Sequence, residues 1–397
     1  MNPWPLPRRI RGFVFLVLFG FLGLAAQAQT NLSRSGATSS WGPRVTVDSL
    51  GAVHAVWLEQ YSDTTGDVFY SKLATPGGTW TTPLNISNSG LACTNIKQSF
   101  HEADIDHDSN GNVYVVWAET PLVKLRILSG GNWGSVFSVK TTTTGVDGPL
   151  LAVDATGNIF VTWWTGFRVW TRVRLNGQWE NPVLIGTSGI AGKYPYIAVG
   201  TGTIYAVWMQ KTPKDYRTYW SSRSKTLNAK WTTPKMVWNG PYQQCYPAVS
   251  IDSAGGVHVV YLDEPSEGVR TAMYSKRSGT GFTKPIKIST TTCLHYTSMS
   301  SVGTKVYAQW HAGAWGNGTA IRYNTRVSGK WTGQGNVPNS KGCTYGDIEA
   351  DASGLMHFVW DCNDGEVYYI AVNRSAALGL PEPSQADGPA DPVAPEK

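Results

Sequence analysis

Two histidines in the last third of the chain offer the clearest acid–base chemistry in this sequence. His295 and His311 flank one repeated segment, and Tyr296 follows the first of them directly. An imidazole pair with a tyrosine suits proton transfer in the hydrolysis or β-elimination of a polysaccharide. The pair could also be half of a metal site, but spacing fixes no third ligand, so we expect no metal and no cofactor. Hydrogen bonding within loops is the remaining interpretation.

Residues near position 100 form a second candidate set. His101 and Glu102 are adjacent, and Glu119 follows the next apolar segment. Paired carboxylates serve as acid and base in glycoside hydrolysis when they lie about 5–10 Å apart. Charges on solvated loops are the alternative interpretation.

Arg44 marks a third candidate set. It aligns with Asp104 and Asp347 when internal repeats of the chain are superimposed, and Glu349 lies two residues beyond Asp347. An arginine among carboxylates could grip a sugar acid or orient a water molecule. A buried salt-bridge network that joins the first and last repeats is the alternative.

Aromatic and polar residues outside the repeated positions complete the candidates. Flat rings with polar neighbours are typical of ligand pockets and suit a sugar in particular. The aromatic candidates are Trp164, Trp238, Tyr242, Tyr246 and Trp315. The polar candidates are Glu59, Asp263 and Asp361. Similar irregular segments hold Asp147, Lys193, Tyr194, Lys211 and Tyr345. Packing between repeats is the alternative for each aromatic residue.

The elements that position these residues follow from an internal repeat. A segment of the form D-x-x-G-x-V-H/Y-x-V-W recurs, with variation, about every 50 residues. The seven copies span residues 48–57, 108–117, 154–163, 199–208, 252–261, 302–310 and 351–360. Between copies, Gly-x-Trp precedes a proline-containing segment, as at Gly78, Trp80 and Pro83.

Each repeat is predicted to form four short strands, A to D. In the first repeat these are Arg44–Val47, Val53–Trp57, Asp67–Leu73 and Trp80–Ile86. The B segments are apolar at both odd and even positions, which is typical of strands buried on both faces. Seven such units predict an all-β fold, a seven-bladed β-propeller of four-stranded antiparallel blades.

The two ends of the chain predict how the ring closes. The seventh repeat ends after its third strand, Glu366–Val372, without a fourth. The segment Asn31–Gly36 precedes the first A strand and resembles the D-strand end Leu84–Gly90. We therefore expect the N-terminal strand to complete the last blade and to cover two open edges.

Propeller geometry separates the repeated motifs from the irregular loops. The D–A and B–C loops share the face at the channel mouth, whereas the motif turns lie on the opposite face. Asp48 and its equivalents are predicted turn residues that accept backbone N–H bonds, and His54 and its equivalents are predicted packing residues. The B–C loops differ between repeats, which favours one central site over the repeated sites of a multivalent lectin.

The repeat resembles that of sialidase-like propellers bearing bacterial neuraminidase repeats. The likeness rests on P-x-x-x-V-D-x-x-G-x-V-H-x-V-W, then Y-S-K and G-x-W-x-x-P-x-x-I-S, and extends to about Val372. It implies a propeller related to glycan-processing enzymes. The family's Asp-box is degenerate, because residues 75–80 and 128–133 keep Gly and Trp but lack the Asp. Sialidases of this family have six blades. Their carboxylate-binding arginine on the first strand corresponds to Arg44, but their other two arginines and catalytic tyrosine have no match.

Five cysteines fall in loops of the mouth face. Cys343 precedes the seventh A strand and Cys362 follows its B strand, so antiparallel pairing predicts a disulfide between them. Cys245 and Cys293 occupy equivalent loops of neighbouring repeats and are predicted to form a second disulfide. Cys93 is then left over.

The first residues predict export. Three arginines precede a short apolar run, and Ala26-Gln27-Ala28 matches a cleavage signal, so residues 1–28 are predicted to be a signal peptide. The apolar run is too short to span a bilayer. We expect a secreted or periplasmic protein with no membrane span after cleavage. Residues 29–374 are predicted to form the propeller, and 375–397 a disordered tail rich in Pro, Ala and acidic residues.

The net charge of the chain limits which classes of partner it can bind. The formal net charge is +6, spread without a Lys/Arg run, so we expect no nucleic-acid partner. The first hypothesis is a monomer that recognises a glycan or polysaccharide at a single site on the channel mouth, and the absence of intact Asp-boxes favours it. The alternative is an extracellular carbohydrate-active enzyme, a sialidase-like glycoside hydrolase or a polysaccharide lyase, and the clustering of His, Glu and Tyr at the mouth favours that. A purely structural role is the third possibility.

Overall fold

The computed structural model describes residues 29–33, 39–62, 65–89, 102–140, 145–314 and 317–373. These residues form β-strands joined by turns, and they contain no helix. Within these ranges there is accordingly no helix that could cross a membrane. The predicted signal peptide, the predicted tail, Cys93, His101 and Trp315 lie outside the described residues.

The strands follow the sequence repeats. The first two repeats contain β2 Ser39–Val47, β3 Val53–Ser62, β4 Thr65–Leu73, β5 Leu84–Asn85, β6 Ala103–His107, β7 Val113–Glu119, β8 Leu122–Ser129, β9 Asn132–Trp133 and β10 Phe137–Lys140. The next two contain β11 Asp147–Val153, β12 Ile159–Thr165, β13 Arg168–Leu175, β14 Gln178–Trp179, β15 Val183–Leu184, β16 Gly192–Val199, β17 Thr203–Lys211, β18 Tyr216–Ser224 and β19 Lys235–Met236.

The remaining repeats continue the same pattern. The fifth and sixth contain β20 Gln243–Ile251, β21 Val257–Ser266, β22 Val269–Ser278, β23 Gly281–Phe282, β24 Ile286–Lys287, β25 Cys293–Val302, β26 Lys305–Ala314, β27 Asn317–Val327, β28 Lys330–Trp331 and β29 Gly335–Asn336. The seventh contains β30 Cys343–Ala350, β31 Met356–Cys362 and β32 Val367–Val372, and the chain begins with β1 Thr30–Asn31.

All strand pairs are antiparallel, and neighbours in sequence pair in space. The sheets run β2-β3-β4-β5, β6-β7-β8-β10, β11-β12-β13-β14 and β16-β17-β18-β19, with β9 on β8 and β15 on β13. Strands β20 to β29 form one ten-stranded sheet, in which β22 and β25 meet only at the pair Arg270–Cys293. The all-β prediction is therefore confirmed.

The first and last strands of the chain belong to one sheet, whose order is β1-β32-β31-β30. Thr30 pairs with Tyr369 and Asn31 with Tyr368. The Leu32 N–H then donates to the carbonyl of Val367 at 2.8 Å. This is the pairing that the chain ends predict, and it covers the outer edge of β32.

The A strands face a common interior. Contacts join β2 to β6, β6 to β11, β11 to β16, β16 to β20, β20 to β25, β25 to β30 and β30 back to β2. A cavity of about 210 Å³ is lined by residues from each of these strands. Side chains that begin or line the A strands are therefore brought together from all repeats.

The core lies between neighbouring sheets. The aromatic residue that ends each repeated motif is almost fully buried in the B strands: Trp57, Trp117, Trp163, Trp208, Tyr261, Trp310 and Trp360. Val56 and Leu58 of the first repeat pack with Val113 and Trp117 of the second in one apolar cluster. Apolar residues on both faces of the B strands thus give each sheet two partners.

The motif turns are built by their aspartates. Asp48 Oδ1 accepts the N–H groups of Leu50 and Ala52, both at 2.9 Å, and Gly51 has a φ of 82° that favours glycine. Its Oδ2 lies 3.0 Å from His54 Nε2, while His54 Nδ1 lies 2.7 Å from the Tyr70 hydroxyl. Asp252 with His258 and Asp351 with His357 repeat this arrangement.

Element boundaries differ most in the A and D strands. The first A strand begins at Ser39 rather than Arg44, because a register shift between Trp41 and Arg44 lets pairing resume beyond the irregularity. The first D strand is only Leu84–Asn85. Trp80 makes an isolated bridge to Leu73, and the prolines of this segment cannot donate to a continuous ladder.

Candidate functional site

The A strands of four consecutive repeats carry a strained tyrosine as their third or fourth residue. Tyr194, Tyr246, Tyr296 and Tyr345 have φ values of 52°, 50°, 41° and 25°. Each sits at a register shift between the A and B strands. A bulky residue in left-handed backbone costs about 1–3 kcal/mol and is concentrated at functional sites. Backbone strain is thus concentrated near the start of four neighbouring A strands, β16, β20, β25 and β30.

The register shifts bring these tyrosines into contact. Ring centroids of Tyr246 lie 5.1 Å from Tyr194 and 4.6 Å from Tyr296. Tyr296 is also 5.3 Å from Tyr345 and 6.1 Å from Tyr194. Tyr296 is buried and the other three are half-buried. We call these four residues, with His295 and His311, the mouth cluster.

His295 and His311 face each other across β25 and β26. Their ring centroids are 6.4 Å apart, and His295 lies 5.3 Å from Tyr246 while His311 lies 6.1 Å from Tyr345. The His311 side chain is buried, and within the described part of the chain neither of its ring nitrogens has a hydrogen-bond partner. A buried polar group without a partner costs about 1–3 kcal/mol. Such a group is expected to meet a ligand or water.

Burial fixes the protonation of the cluster. It lowers the pKa of His311 to about 3, with a further lowering from His295. Burial and the nearby Arg270 charge lower the pKa of His295 to about 4. Burial raises the pKa of Tyr246, Tyr296 and Tyr345 above the ordinary tyrosine value. At neutral pH the imidazoles are therefore uncharged and can accept a proton, while the phenols keep theirs.

Cations border the cluster on one side. The Lys193 ammonium lies 5.1 Å from the Tyr194 ring centroid and 4.8 Å from that of Tyr216. The Arg270 guanidinium lies 5.7 Å from the Tyr246 ring centroid. Lys211, which is exposed, adds a third positive charge over Tyr216. Positive charge beside uncharged hydrogen-bonding groups favours an anionic ligand.

Burial raises the pKa of two of the predicted carboxylates near the mouth. Asp361 accepts hydrogen bonds from the Gly42 N–H and the Thr344 hydroxyl, and burial raises its pKa to about 7. Burial raises the pKa of Asp263 to about 6. Asp147, which starts β11, is raised to about 6 for the same reason. None of the three is a strong base at neutral pH.

Arg44 lies deeper, among the A strands. It is 1% exposed, and its guanidinium approaches Asp104 at 3.7 Å, Asp347 at 3.3 Å and the Tyr196 hydroxyl at 3.4 Å. Asp104 accepts the Leu151 N–H of the third repeat at 2.7 Å. This is a buried network that joins strands of different repeats, the arrangement expected if Arg44 is structural.

The carboxylates around Arg44 titrate unusually. Burial raises the pKa of Asp104 to about 7, an effect that the Arg44 charge opposes. Burial raises the pKa of Glu349 to about 8, and its Oε1 accepts the Ser300 hydroxyl at 2.8 Å. These carboxylates bond to strands of neighbouring repeats rather than to an open surface.

The carboxylates of the first two repeats have a repeated structural contact. Glu59 accepts the Trp57 indole N–H at 2.7 Å, and Glu119 accepts that of Trp117 at 3.4 Å. Gln210 does the same for Trp208 at 3.2 Å. Glu102 is buried at the start of the second A strand. Glu59 and Glu119 therefore occupy the position of Gln210 and bind the equivalent indole N–H. Because a glutamine side chain has no acid–base chemistry, this contact is structural.

The aromatic candidates divide between core and surface. Trp164 is buried and contacts Tyr194 at 5.7 Å and Phe167 at 5.9 Å between ring centroids. Trp238 is half-buried, and its carbonyl accepts the Gln244 side chain at 3.1 Å. Tyr242 is 43% exposed. Trp164 thus supports the mouth cluster, while Tyr242 presents its ring to solvent.

One of the two predicted disulfides is present. Cys343 and Cys362 are bonded and join the paired ends of β30 and β31. The predicted Cys245–Cys293 disulfide is wrong, because both residues are free and buried. Both pack in one apolar cluster, where the Cys245 thiol lies 3.5 Å from Glu264 Oε2. Burial raises the pKa of Cys245 to about 12 and of Cys293 to about 11, which disfavours a nucleophilic thiolate.

Several residues that the sequence singles out lie together in the mouth cluster, whereas Arg270 is not among the sequence candidates. His295, His311, Tyr296 and Tyr246 were candidates from loop position, and the structure brings them together. Arg270 lies on the C strand β22, outside the D–A and B–C loops from which the sequence candidates come. The available signal was its position directly after the B–C turn, one residue into β22.

Comparisons with known proteins give the fold. No protein-family model and no curated protein match the sequence. Among solved structures, an ulvan lyase of family PL25 bound to -[GlcA(1-4)Rha3S]- has a TM-score of 0.62 at 11% identity, covering 89% of this chain and 100% of that chain. The polysaccharide lyase Uly1 has a TM-score of 0.54 at 11% identity, covering 83% and 89%. The chain therefore shares the β-propeller fold of carbohydrate-active enzymes.

A microbial sialidase is also similar, with a TM-score of 0.46 at 11% identity over 70% of this chain and 64% of that chain. That likeness is too distant to support any residue match between the two.

Proposed function

We propose that this chain binds an acidic polysaccharide at a single site on the channel mouth and cleaves it by β-elimination. The proposal includes a seven-bladed ring in which the ten-stranded sheet is two blades. The cyclic contacts of the A strands and the single pair that links β22 to β25 support that count. The lyase folds support carbohydrate as the ligand.

His311 is the observation that carries the proposal. Its two nitrogens are buried without partners among the described residues, beside His295 and next to strained tyrosines. A site that served packing alone would gain stability from an apolar residue at this position. The retained imidazole is explained when substrate supplies its missing partner.

The reaction fits the chemistry of the cluster. Lys193, together with Arg270, which also pairs with Glu264 at 2.9 Å, would neutralise the carboxylate of a uronic acid. Neutralisation acidifies the proton on the adjacent carbon. A neutral imidazole takes that proton, the C–H electron pair becomes the C4–C5 double bond, and the C4–O bond breaks. A tyrosine hydroxyl donates a proton to the leaving oxygen, because its raised pKa keeps it protonated at neutral pH.

Hydrolysis by paired carboxylates is less well supported. Glu59 and Glu119 accept hydrogen bonds from indole N–H groups, and Asp361 accepts hydrogen bonds from the Gly42 N–H and the Thr344 hydroxyl. Recognition without turnover is the second candidate. The low pKa of His311 favours it, since a weak base accepts a carbon-bound proton slowly.

The test is product formation from a panel of acidic polysaccharides. We expect the ultraviolet absorbance of an unsaturated uronate to appear with the wild-type protein, and to fall about 100-fold or more in His311→Ala. His107→Ala is the matched control, because His107 ends its A strand away from the mouth and bonds to Thr46. Tight binding with no product from any polysaccharide would establish recognition alone, and reducing ends without absorbance would establish hydrolysis.

We also propose that the protein is exported and acts as a monomer, with residues 1–28 as signal peptide, 29–374 as propeller and 375–397 as tail. The Cys343–Cys362 disulfide supports an oxidising compartment. The repeated motif D-x-x-G-x-V-H/Y-x-V-W supports a relation to sialidase-like propellers, from which the degenerate Asp-boxes depart.

A further inference from the structure

An open cavity of about 570 Å³, here called the side groove, lies at the mouth between the fourth and fifth repeats. The polar residues of its lining include Asp215, Tyr242, Gln243, Glu264, Glu267 and Arg270. Tyr242 is 43% exposed, so one aromatic face is open to a ligand. An exposed ring surrounded by hydrogen-bonding groups is the composition of a sugar site.

Arg270 connects the side groove to the mouth cluster. Its guanidinium lies 2.9 Å from Glu264 in the groove and 5.7 Å from the ring centroid of Tyr246 in the cluster. Its Nε is buried and has no hydrogen-bond partner within the described part of the chain. A chain bound over Tyr246 would therefore pass Arg270 and enter the groove.

The charges of the groove select the kind of sugar. Glu264 is held by Gln243 at 2.7 Å and by the Gly268 N–H at 2.9 Å, and Asp215 is paired with Arg217 at 2.8 Å. These carboxylates accept hydrogen bonds from hydroxyl groups and repel a second acidic sugar. Arg217 pairs with Asp215 and Arg270 with Glu264, so Glu267 adds a negative charge to the lining, which disfavours an anion.

We propose that the side groove is a subsite for an uncharged sugar, the neighbour of the acidic sugar held at the mouth cluster. Tyr242 stacks on the sugar ring, and Gln243, Glu264 and Asp215 bond to its hydroxyls. The protein would thus select a polysaccharide in which acidic and neutral sugars adjoin. This inference rests on the proposed function for the order of the two sugars, but not for the binding of the neutral one.

The first experiment tests the groove by itself. Methyl glycosides of neutral hexoses and deoxyhexoses are titrated, in the millimolar range expected for one sugar, into protein with ring-labelled tyrosine. The Tyr242 ring resonances, assigned by their loss in Tyr242→Phe, should shift, while those of Tyr61 should not. Tyr61 is the matched control because it is 45% exposed and lies outside the groove.

The second experiment tests the coupling to the mouth. Oligosaccharides that add a neutral sugar to an acidic unit should bind wild type about tenfold more tightly than the acidic unit alone, and Tyr242→Ala should abolish that gain. Tyr61→Ala should retain it. An equal gain in wild type and Tyr242→Ala overturns the subsite. If no acidic sugar binds, the proposed function fails, and the resonances decide alone: an unshifted Tyr242 ring overturns the subsite.

Discussion

Asp361 shows at the scale of one residue how burial sets protonation beneath the mouth. Its carboxyl group is 4% exposed and receives hydrogen bonds from the Gly42 N–H at 3.0 Å and the Thr344 hydroxyl at 2.6 Å. Burial nevertheless outweighs these donors and raises the pKa to about 7. Because the folded-state pKa lies above the ordinary value of 3.8, folding favours the acid form. The associated stability is complete below pH 3.8 and is lost as the pH rises through 7.

Asp361→Asn should remove the loss of stability that accompanies ionisation of Asp361 at high pH. The amide oxygen can still accept the Gly42 N–H, and it does not ionise, so the variant should gain roughly 1–3 kcal/mol in free energy of unfolding over wild type at pH 8. Near pH 4 the two proteins should be equally stable. Urea unfolding at both pH values measures the difference. Asp364→Asn, which alters an exposed aspartate three residues away, is the control. A gain that is the same at both pH values would show that ionisation of Asp361 is not its cause.

At the scale of elements, carboxylates on one A strand bond to the next A strand. Asp104 accepts the Leu151 N–H, Asp106 that of Val153, and Asp347 that of Val45. Inner strands carry unpaired backbone donors on the side away from their B strands, and these contacts satisfy them. Two of these carboxylates, Asp104 and Asp347, also form ion pairs with Arg44. The network therefore holds strands from different repeats at fixed positions below the mouth.

Asp104→Ala should separate a structural role of the Arg44 network from a role in substrate binding. It leaves the Arg44 charge and the Leu151 N–H short of a partner, so we expect a loss of about 3–5 kcal/mol in free energy of unfolding. Asp104→Asn keeps an acceptor and should lose less. Product formed per folded molecule should stay at the wild-type level. Lost activity with unchanged stability would instead place Arg44 in the substrate site.

Some features of these elements are predictable from the sequence and others are not. The B strands and motif turns were predictable because apolar residues on both faces and Asp–Gly turns are local signals. The strained backbone of Tyr194, Tyr246, Tyr296 and Tyr345 was not, since nothing in a single tyrosine marks a positive φ. The Cys245–Cys293 prediction was wrong because equivalent loop positions do not determine whether two sulfur atoms meet: both residues pack in one apolar cluster, yet both are free.

The N-terminal strand bears on the whole molecule, because it supplies the outer strand of the last sheet. Leu32 follows β1, is 3% exposed, and packs with Val367, Tyr369 and Trp57. The cluster joins the N-terminus, the seventh repeat and the first repeat. The loss of stability caused by a substitution in this cluster therefore measures how strongly the N-terminal strand is bound to the first and seventh repeats.

Leu32→Ala should weaken that closure. Removal of a buried leucine side chain costs about 2–5 kcal/mol, and we expect a corresponding fall in Tm together with earlier proteolysis near the N-terminus. Leu50→Ala is the control, because Leu50 is 84% exposed. Equal Tm values for the two variants would show that the N-terminal segment contributes little to stability.

The pairing of Thr30 with Tyr369 also determines when β1 can join its sheet during synthesis of the chain. Thr30 is synthesised long before Tyr369, so β1 stays unpaired until β32 has also been synthesised. A product truncated before Tyr369 leaves two edges that can recruit other strands or admit a protease. The pairing of β1 with β32 therefore forms only in a chain that extends at least to Tyr369, and a shorter product keeps both edges open.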